Sequence, residues 1–216
     1  MTPNKEDYLK CIYNISISKE KVTNKLVAEI MNVSKPAVTE MLRKLVNSKL
    51  IEKDNSKGYT LTEEALILVS NVVRKHRLLE VFLLEHLAYP TNKVHEEAEI
   101  LEHAVSDFFI DSLDKMLGHP NKCPHGSIIP QKNIILEDDI ILLSEALQGK
   151  IYYVKRLSAK KEIADYLLGE GIKLGSKIII KEKSSLGKII KLEVDELTIS
   201  LSDHLASHIF LATNNL

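Results

Sequence analysis

Apolar residues recur along the first fifty positions with a helical period, then give way to short strand-like runs. In residues 4–17, Tyr8, Leu9, Cys11, Ile12 and Ile15 fall on one face. Leu26, Val27 and Ile30 do the same for a shorter helix over 23–31, and Val38, Met41, Leu42 and Leu45 for a third over 35–47. Asn32 and Val33 make the turn between the second and third helices. Ser34 caps the third, with Pro36 in its first turn, where a missing N–H costs nothing. Two short helices joined by a tight turn predict a helix-turn-helix. Residues 50–54 and 59–61 then read as strands around the polar loop Asn55-Ser56-Lys57-Gly58. A hairpin directly after a recognition helix predicts the wing of a winged helix.

A long helix follows from Thr62 to about His86, with Glu63 and Glu64 in its first turn. Pro90 and Thr91 break it, and a second long helix is expected from Val94 to about Leu117. Its apolar positions, among them Phe108, Ile110 and Leu113, exceed what one small domain needs, so a second copy of the chain is expected to pack there. Residues 118–126 form a loop punctuated by Gly and Pro, and 127–149 read as a linker. Strands are expected at 151–157, 177–183, 188–194 and 196–201, with a helix near 162–169, a pattern that predicts a small SH3-like β-barrel. The expected fold class is mainly α with small β. A winged helix-turn-helix DNA-binding domain occupies 1–63, a helical dimerisation and metal-binding domain 64–126, a linker 127–149 and the barrel 150–216.

Charge sharpens this division. The net charge of −1 conceals 11 Lys/Arg against 7 Asp/Glu in residues 1–61, and 6 against 11 in residues 62–126. A basic N-terminal part suits a polyanion, and an acidic middle suits a cation. No stretch is apolar enough to span a bilayer, the N-terminus lacks the apolar core of a signal peptide, and there are only two cysteines. The expectation is a cytoplasmic protein with reduced thiols and no membrane partner.

The stretch His95-Glu96-Glu97-Ala98-Glu99-Ile100-Leu101-Glu102-His103 carries the most suggestive chemistry. At about 100° per residue, His95, Glu99, Glu102 and His103 fall within about 120° of one another. Carboxylates that close disfavour joint ionisation unless a positive charge sits among them. A divalent cation meets that need with oxygen and imidazole ligands, and a solvated acidic face is the other reading. His76 and Glu80, four residues apart, share a face as a salt bridge or as ligands. Cys123 and His125 flank Pro124 in the loop, and with no Cys-x-x-Cys present a zinc ribbon is excluded. His95-Glu96 begins like a zinc-protease motif, but the second His would fall at position 99, which is Glu. No nucleophile–base pair or phosphate loop stands out, so the chain is not expected to be an enzyme.

Glu6-Asp7-Tyr8-Leu9, Ser34-x-Pro36-Ala37-Val38-Thr39-Glu40-Met41, Arg74-Lys75-His76-Arg77-Leu78-x-Glu80, the 95–103 stretch and Cys123-Pro124-His125-Gly126 occur in that order. In this the chain resembles the diphtheria toxin repressor family of metal-dependent repressors, and within it the three-domain manganese regulators. The resemblance covers residues 1–126 and, more loosely, the C-terminal barrel, which it makes FeoA-like. It implies a primary metal site of Asp7, His76, Glu99, Glu102 and His103. Iron-responsive relatives have Met and Cys where this chain has Asp7 and Glu99. Hard carboxylates in place of sulfur point to Mn²⁺, with Fe²⁺ or Zn²⁺ as alternatives. It also implies a second site of Glu80, Cys123 and His125, completed in relatives by an Asp of the third domain. Here that position falls at or beside Ala159, with Glu162 the nearest candidate carboxylate, and His95 matches an ancillary ligand. Lys10 stands where a two-domain manganese relative has a ligand Glu, which argues against a binuclear site of that type.

The resulting expectation is a metal-gated repressor of metal-uptake genes, acting as a homodimer on a double-stranded operator. Ser34, Lys35, Pro36, Ala37, Thr39 and Glu40 would read bases, and Arg43, Lys44 and Lys57 would hold phosphates. A DNA-binding regulator indifferent to metal is the rival reading.

Overall fold

The computed structural model describes residues 3–124, 127–136, 140–157, 161–184 and 186–213, with the side chains of residues 3, 4, 91, 92 and 161 excepted. His125 and Ala159, two positions of the expected second metal site, lie outside the described residues. The chain divides into two compact units, Met1–Glu137 and Asp138–Leu216.

The first unit begins with three helices, α1 (Pro3–Ile17), α2 (Asn24–Met31) and α3 (Lys35–Asn47). Thr23 caps α2 by accepting from the Leu26 N–H, and Asn32 ends it in the left-handed conformation at φ +52°. Two residues later Ser34 accepts from Ala37 N–H to start α3. A left-handed stop followed at once by a side-chain cap makes a turn this tight. Leu9, Ile12, Val27, Val38, Leu42, Leu45 and Ile51 close the core behind it, all essentially excluded from water.

The hairpin follows as β1 (Ile51–Asp54) and β2 (Gly58–Leu61), paired antiparallel from Ile51 opposite Leu61 to Asp54 opposite Gly58. Asp54 Oδ1 accepts from the backbone N–H groups of Ser56 and Lys57 and from the Ser56 hydroxyl, which shapes the turn. Val22 N–H donates to Lys57 O at 2.9 Å, pinning the wing to the segment between α1 and α2.

Thr62 joins the wing to α4 (Glu63–Glu85). Its hydroxyl donates to Lys49 O and accepts from Ala65 N–H. At 23 residues α4 is about 34 Å long. Ala65 and Val69 belong to the winged-helix core, whereas Leu78, Leu79, Val81 and Leu83 belong to a second core with Val94, Ala98, Ile110 and Leu113. One helix therefore runs through both cores.

The single helix expected from Val94 to Leu117 is two helices, α5 (Thr91–Ala104) and α6 (Asp107–Met116). Val105 is extended, and Ser106 restarts the chain by capping Phe109 N–H, with Asp107 in the first turn. That Ser-Asp pair is a helix start signal inside an apolar period. Arg74 on α4 reaches Asp111 at 3.3 Å and Asp114 at 3.0 Å, and Lys75 reaches Asp107 at 2.8 Å, so α6 is held to α4 by charge as well as by packing.

The second unit is built on a six-stranded antiparallel sheet. Its strands are β3 (Ile141–Leu142), β4 (Ile151–Leu157), β5 (Lys177–Ser184), β6 (Ile189–Val194), β7 (Leu197–Ser202) and β8 (Ile209–Ala212), in the order β3-β8-β4-β5-β6-β7. Helices α7 (Lys161–Gly169) and α8 (Asp203–Ala206) accompany it. The expected strands are present. β8 was not expected, because Ile209–Ala212 is buried at every residue and so lacks the alternation that marks a half-exposed strand. β3 falls in the stretch read as a linker, and Leu143 and Ala146 beside it are core residues.

Gly58 (φ +84°) is the residue on which wing packing turns. A Cβ there would lie 2.0 Å from the Val22 carbonyl oxygen, a backbone atom. Gly118 has a similar φ of +73° and nothing within 4 Å. Gly118→Ala is expected to lower stability by about 1 kcal/mol, the left-handed penalty alone. Gly58→Ala is expected to lower it by more, about 2–4 kcal/mol, because the wing must also shift. Urea denaturation of the two variants compares them directly.

Candidate metal centre and nucleic-acid face

The centre forms where α1, α4 and α5 converge. From α5, the Glu102 side chain is wholly excluded from water and His103 is 14% exposed. From α1, Asp7 comes within 2.9 Å of His103 Nε2, and Glu6 lies 2.8 Å from His103 Nδ1. From α4, His76 places Nδ1 2.7 Å from Glu102 Oε2. Lys10 on α1 donates to Glu102 Oε1 at 2.6 Å and stands 3.8 Å from Glu99.

Two groups of ligand-type atoms result, each drawn together within 4.8 Å: Asp7, Glu102 and His103 in one, His76, Glu80 and His95 in the other. In the second group His76 Nε2 is 3.1 Å from Glu80 Oε1 and 2.9 Å from His95 Nδ1, and the two imidazoles meet edge to face. His76 spans both groups, because its other nitrogen meets Glu102.

The electrostatics follow from burial. Burial pushes the Glu102 carboxyl up, but the hydrogen bond from His76 and the charge of Lys10 outweigh it and hold Glu102 below the usual carboxylate range. Burial likewise opposes a charged His76. Hydrogen bonds to Glu102 and Glu80 prevail and raise its pKa to about 9.

Other expected positions lie elsewhere. Glu99 is more than half exposed at the rim, outside both groups, with Lys10 as an ion-pair partner. Glu80 is buried and stands with His76 and His95. Cys123 packs in the core of the helical part and is in neither group. Glu162 sits in the first turn of α7, in the second unit. Sequence reading set Lys10 at a ligand position of a relative but did not foresee that its ammonium pairs with Glu102, and it gave Glu6 no part in the centre. The helical signal was spacing: Lys10 follows Asp7 by three residues and Glu6 by four, so it shares a face with each.

The donor chemistry fits a divalent cation. Carboxylate oxygens and imidazole nitrogens suit hard or borderline ions, and no sulfur belongs to either group. A carboxylate as deeply buried as Glu102 demands positive charge around it.

In the winged helix, Ser34, Lys35, Pro36, Ala37, Thr39, Glu40, Arg43 and Lys44 all lie on the exposed surface of α3 and its cap. Glu40 pairs with Lys44 at 2.7 Å, and Thr39 accepts from Asn24 Nδ2 at 2.8 Å. Lys57 is exposed at the wing turn.

A winged helix whose first helix lends a carboxylate to a buried acid–imidazole centre defines the class of metal-responsive DNA-binding proteins. The comparisons agree. Residues 1–59 match the iron dependent repressor N-terminal DNA binding domain, 62–131 the iron dependent repressor metal binding and dimerisation domain, and 141–213 the FeoA domain. The chain belongs to the diphtheria toxin repressor family, the metal-dependent DNA-binding transcriptional repressors. It is 41% identical to the manganese regulator SloR, with a TM-score of 0.80 over 99% of this chain and all of that one. It is 39% identical to the metal-dependent transcriptional regulator MtsR, with a TM-score of 0.82 over the whole of both chains. It is 29% identical to the transcriptional regulator MntR of Oceanobacillus iheyensis over 138 residues, 64% of this chain and 92% of that protein.

Asp54 gives the wing a pH dependence. Hydrogen bonds from the Lys57 N–H and from Ser56 lower its pKa from 3.8 to about 2. A carboxylate depressed on folding stabilises above its unfolded value and ceases to do so as pH falls through the folded one. Protection of the Ser56 and Lys57 amides, measured against their intrinsic exchange rates, is therefore expected above about pH 4 and lost towards pH 2. In Asp54→Ala, exchange at both amides should be about fivefold faster at neutral pH, by NMR.

Proposed function

We propose that this chain is a Mn²⁺-responsive repressor of metal-uptake genes, acting in the cytoplasm as a homodimer on a two-fold operator. The observation that carries the reading is the meeting of Asp7 with His103 and Glu102. Asp7 rides on the first helix of the winged unit, and the other two ride on α5 of the dimerisation part.

Asp7, Glu102 and His103 would hold the ion, with Glu99 from the rim and His76 through its contact with Glu102. Glu80, His76 and His95 offer a second position, for which Cys123 and His125 remain proposed ligands. Bound there, a divalent cation supplies positive charge shared between the two sets of carboxylates. The chain's own residues do the rest. Asp7 ties α1 to α5, and α1 packs on the core that carries α3. Fixing α1 thus fixes the angle at which α3 and the wing meet DNA, a bias toward the competent state. Ser34, Lys35, Pro36, Ala37, Thr39 and Glu40 would meet base edges, and Arg43, Lys44 and Lys57 phosphates.

The oxygen and nitrogen donors of Asp7, Glu99, Glu102, His76 and His103 favour Mn²⁺ over ions that prefer thiolate, and the names of the similar regulators SloR and MtsR, manganese and metal-dependent respectively, agree with a metal switch. Because later first-row ions bind such donors more tightly, Fe²⁺ and Zn²⁺ are the alternatives to test.

Fluorescence anisotropy on an operator selected from random two-fold DNA, at fixed salt, tests the switch. Mn²⁺ is expected to tighten binding about tenfold or more, and Asp7→Ala and Glu102→Ala to abolish that gain. Equal binding with and without Mn²⁺ would overturn the metal reading.

The dimer has its own test. Phe108 is 82% exposed on α6, with Ile100, Phe109 and Met116 also exposed nearby in sequence, an apolar excess for a lone subunit. Phe108→Asp is expected to give a monomer by analytical ultracentrifugation, with the fold retained by circular dichroism. A dimer unchanged in mass would place the interface elsewhere.

A further inference from the structure

Lys10 is not among the proposed ligands, yet it occupies the centre of the site. Its ammonium donates to Glu102 Oε1 at 2.6 Å and stands 3.8 Å from Glu99. It is 19% exposed, while the Glu102 side chain has no contact with water. The other oxygen of Glu102 receives His76 Nδ1 at 2.7 Å. Both oxygens of the buried carboxylate are therefore engaged, one of them by a fixed cation. His103 Nε2, which meets Asp7 at 2.9 Å, is also 3.4 Å from that same Oε1. The oxygen facing the Asp7–His103 pair is the oxygen that Lys10 holds.

From this geometry we infer that Lys10 is a built-in competitor of the metal: its ammonium neutralises Glu102 and Glu99 when no divalent ion is bound, and sets the concentration at which one can enter. The inference rests on the metal-site reading above. The ammonium and a divalent cation seek the same lone pairs and repel each other at close range. Lys10 reaches Oε1 from α1, so the ion pair also ties α1 to α5 by itself. The residue thus has two opposed effects. It steadies the chelator-treated protein by pairing a buried charge, and it weakens the affinity of the site for the ion that replaces it. Nothing else among the described partners of Glu102 does both, since His103 is itself a proposed ligand and His76 engages the other oxygen.

Lys10→Met keeps the apolar stem and removes the charge, and Lys10→Arg restores a charge. The probe is Mn²⁺ alone, titrated by isothermal calorimetry, with the melting temperature of the chelator-treated full chain measured in parallel. In Lys10→Met the affinity for Mn²⁺ is expected to rise about tenfold while the chelator-treated protein melts lower. Lys10→Arg is expected to return both quantities towards those of the unaltered chain. Affinity that falls or stays level in Lys10→Met, with the unaltered chain still binding Mn²⁺, would overturn the role of Lys10 and leave the site intact. No Mn²⁺ binding by either protein would instead overturn the site reading, and with it this inference.

Discussion

A buried carboxylate is the constraint around which the N-terminal unit is arranged. Glu102 has no surface in water, and an ionised carboxylate so placed is untenable without positive charge at contact distance. The chain supplies that charge from different elements. Lys10 comes from α1 and His76 from α4, both onto a carboxylate of α5. Three helices are thereby obliged to meet at one point. The packing of α1 on α4 is ordinary apolar burial; the attachment of α1 to α5 at this point is electrostatic.

This division of labour suits a switch. Apolar burial does not depend on ions, so the cores of the winged helix and of α4–α6 draw their stability from elsewhere than the centre. The link carried by Asp7, Glu6 and Lys10 is made of charge, and charge responds to charge. His76 adds a connection that two separate sites would lack. One nitrogen meets Glu102 and the other meets Glu80 and His95, so what one group of donors does is felt by the other. The length of α4 gives the arrangement its reach, because a single rigid helix belongs to both cores.

Much of the fold was legible from local chemistry. The Ser34 cap, the helix start at Thr62 and the Gly-ended loop at 55–58 are short-range signals, and the elements they predict are present. The break between α5 and α6 was hidden because the apolar period continues through it, although Ser106-Asp107 marks it. β8 was hidden for the opposite reason. Strand pairing on both sides and burial on both faces leave no alternation to read. At the site, the ligand-type residues of α5 share a helical face and so could be picked out in advance. Their partition could not. Glu99 stays at the rim and Glu80 keeps company with His76 and His95 rather than with Cys123, because a helix face spans more angle than one ion can reach.

The sequence by itself determined most of the elements, that the first part is a DNA-binding winged helix, and that acids and imidazoles recur at helical spacing along α4 and α5. These follow from interactions within a few residues, where period and capping are sufficient. The resemblance grouped Asp7 with His103, but only the tertiary structure decided that Glu102 rather than Glu99 is the buried acid, that Lys10 lies against it, and that Glu6 closes on His103 from the other side. Those are consequences of how α1, α4 and α5 cross, which is set by the summed packing of two cores and is written in no single stretch of the chain.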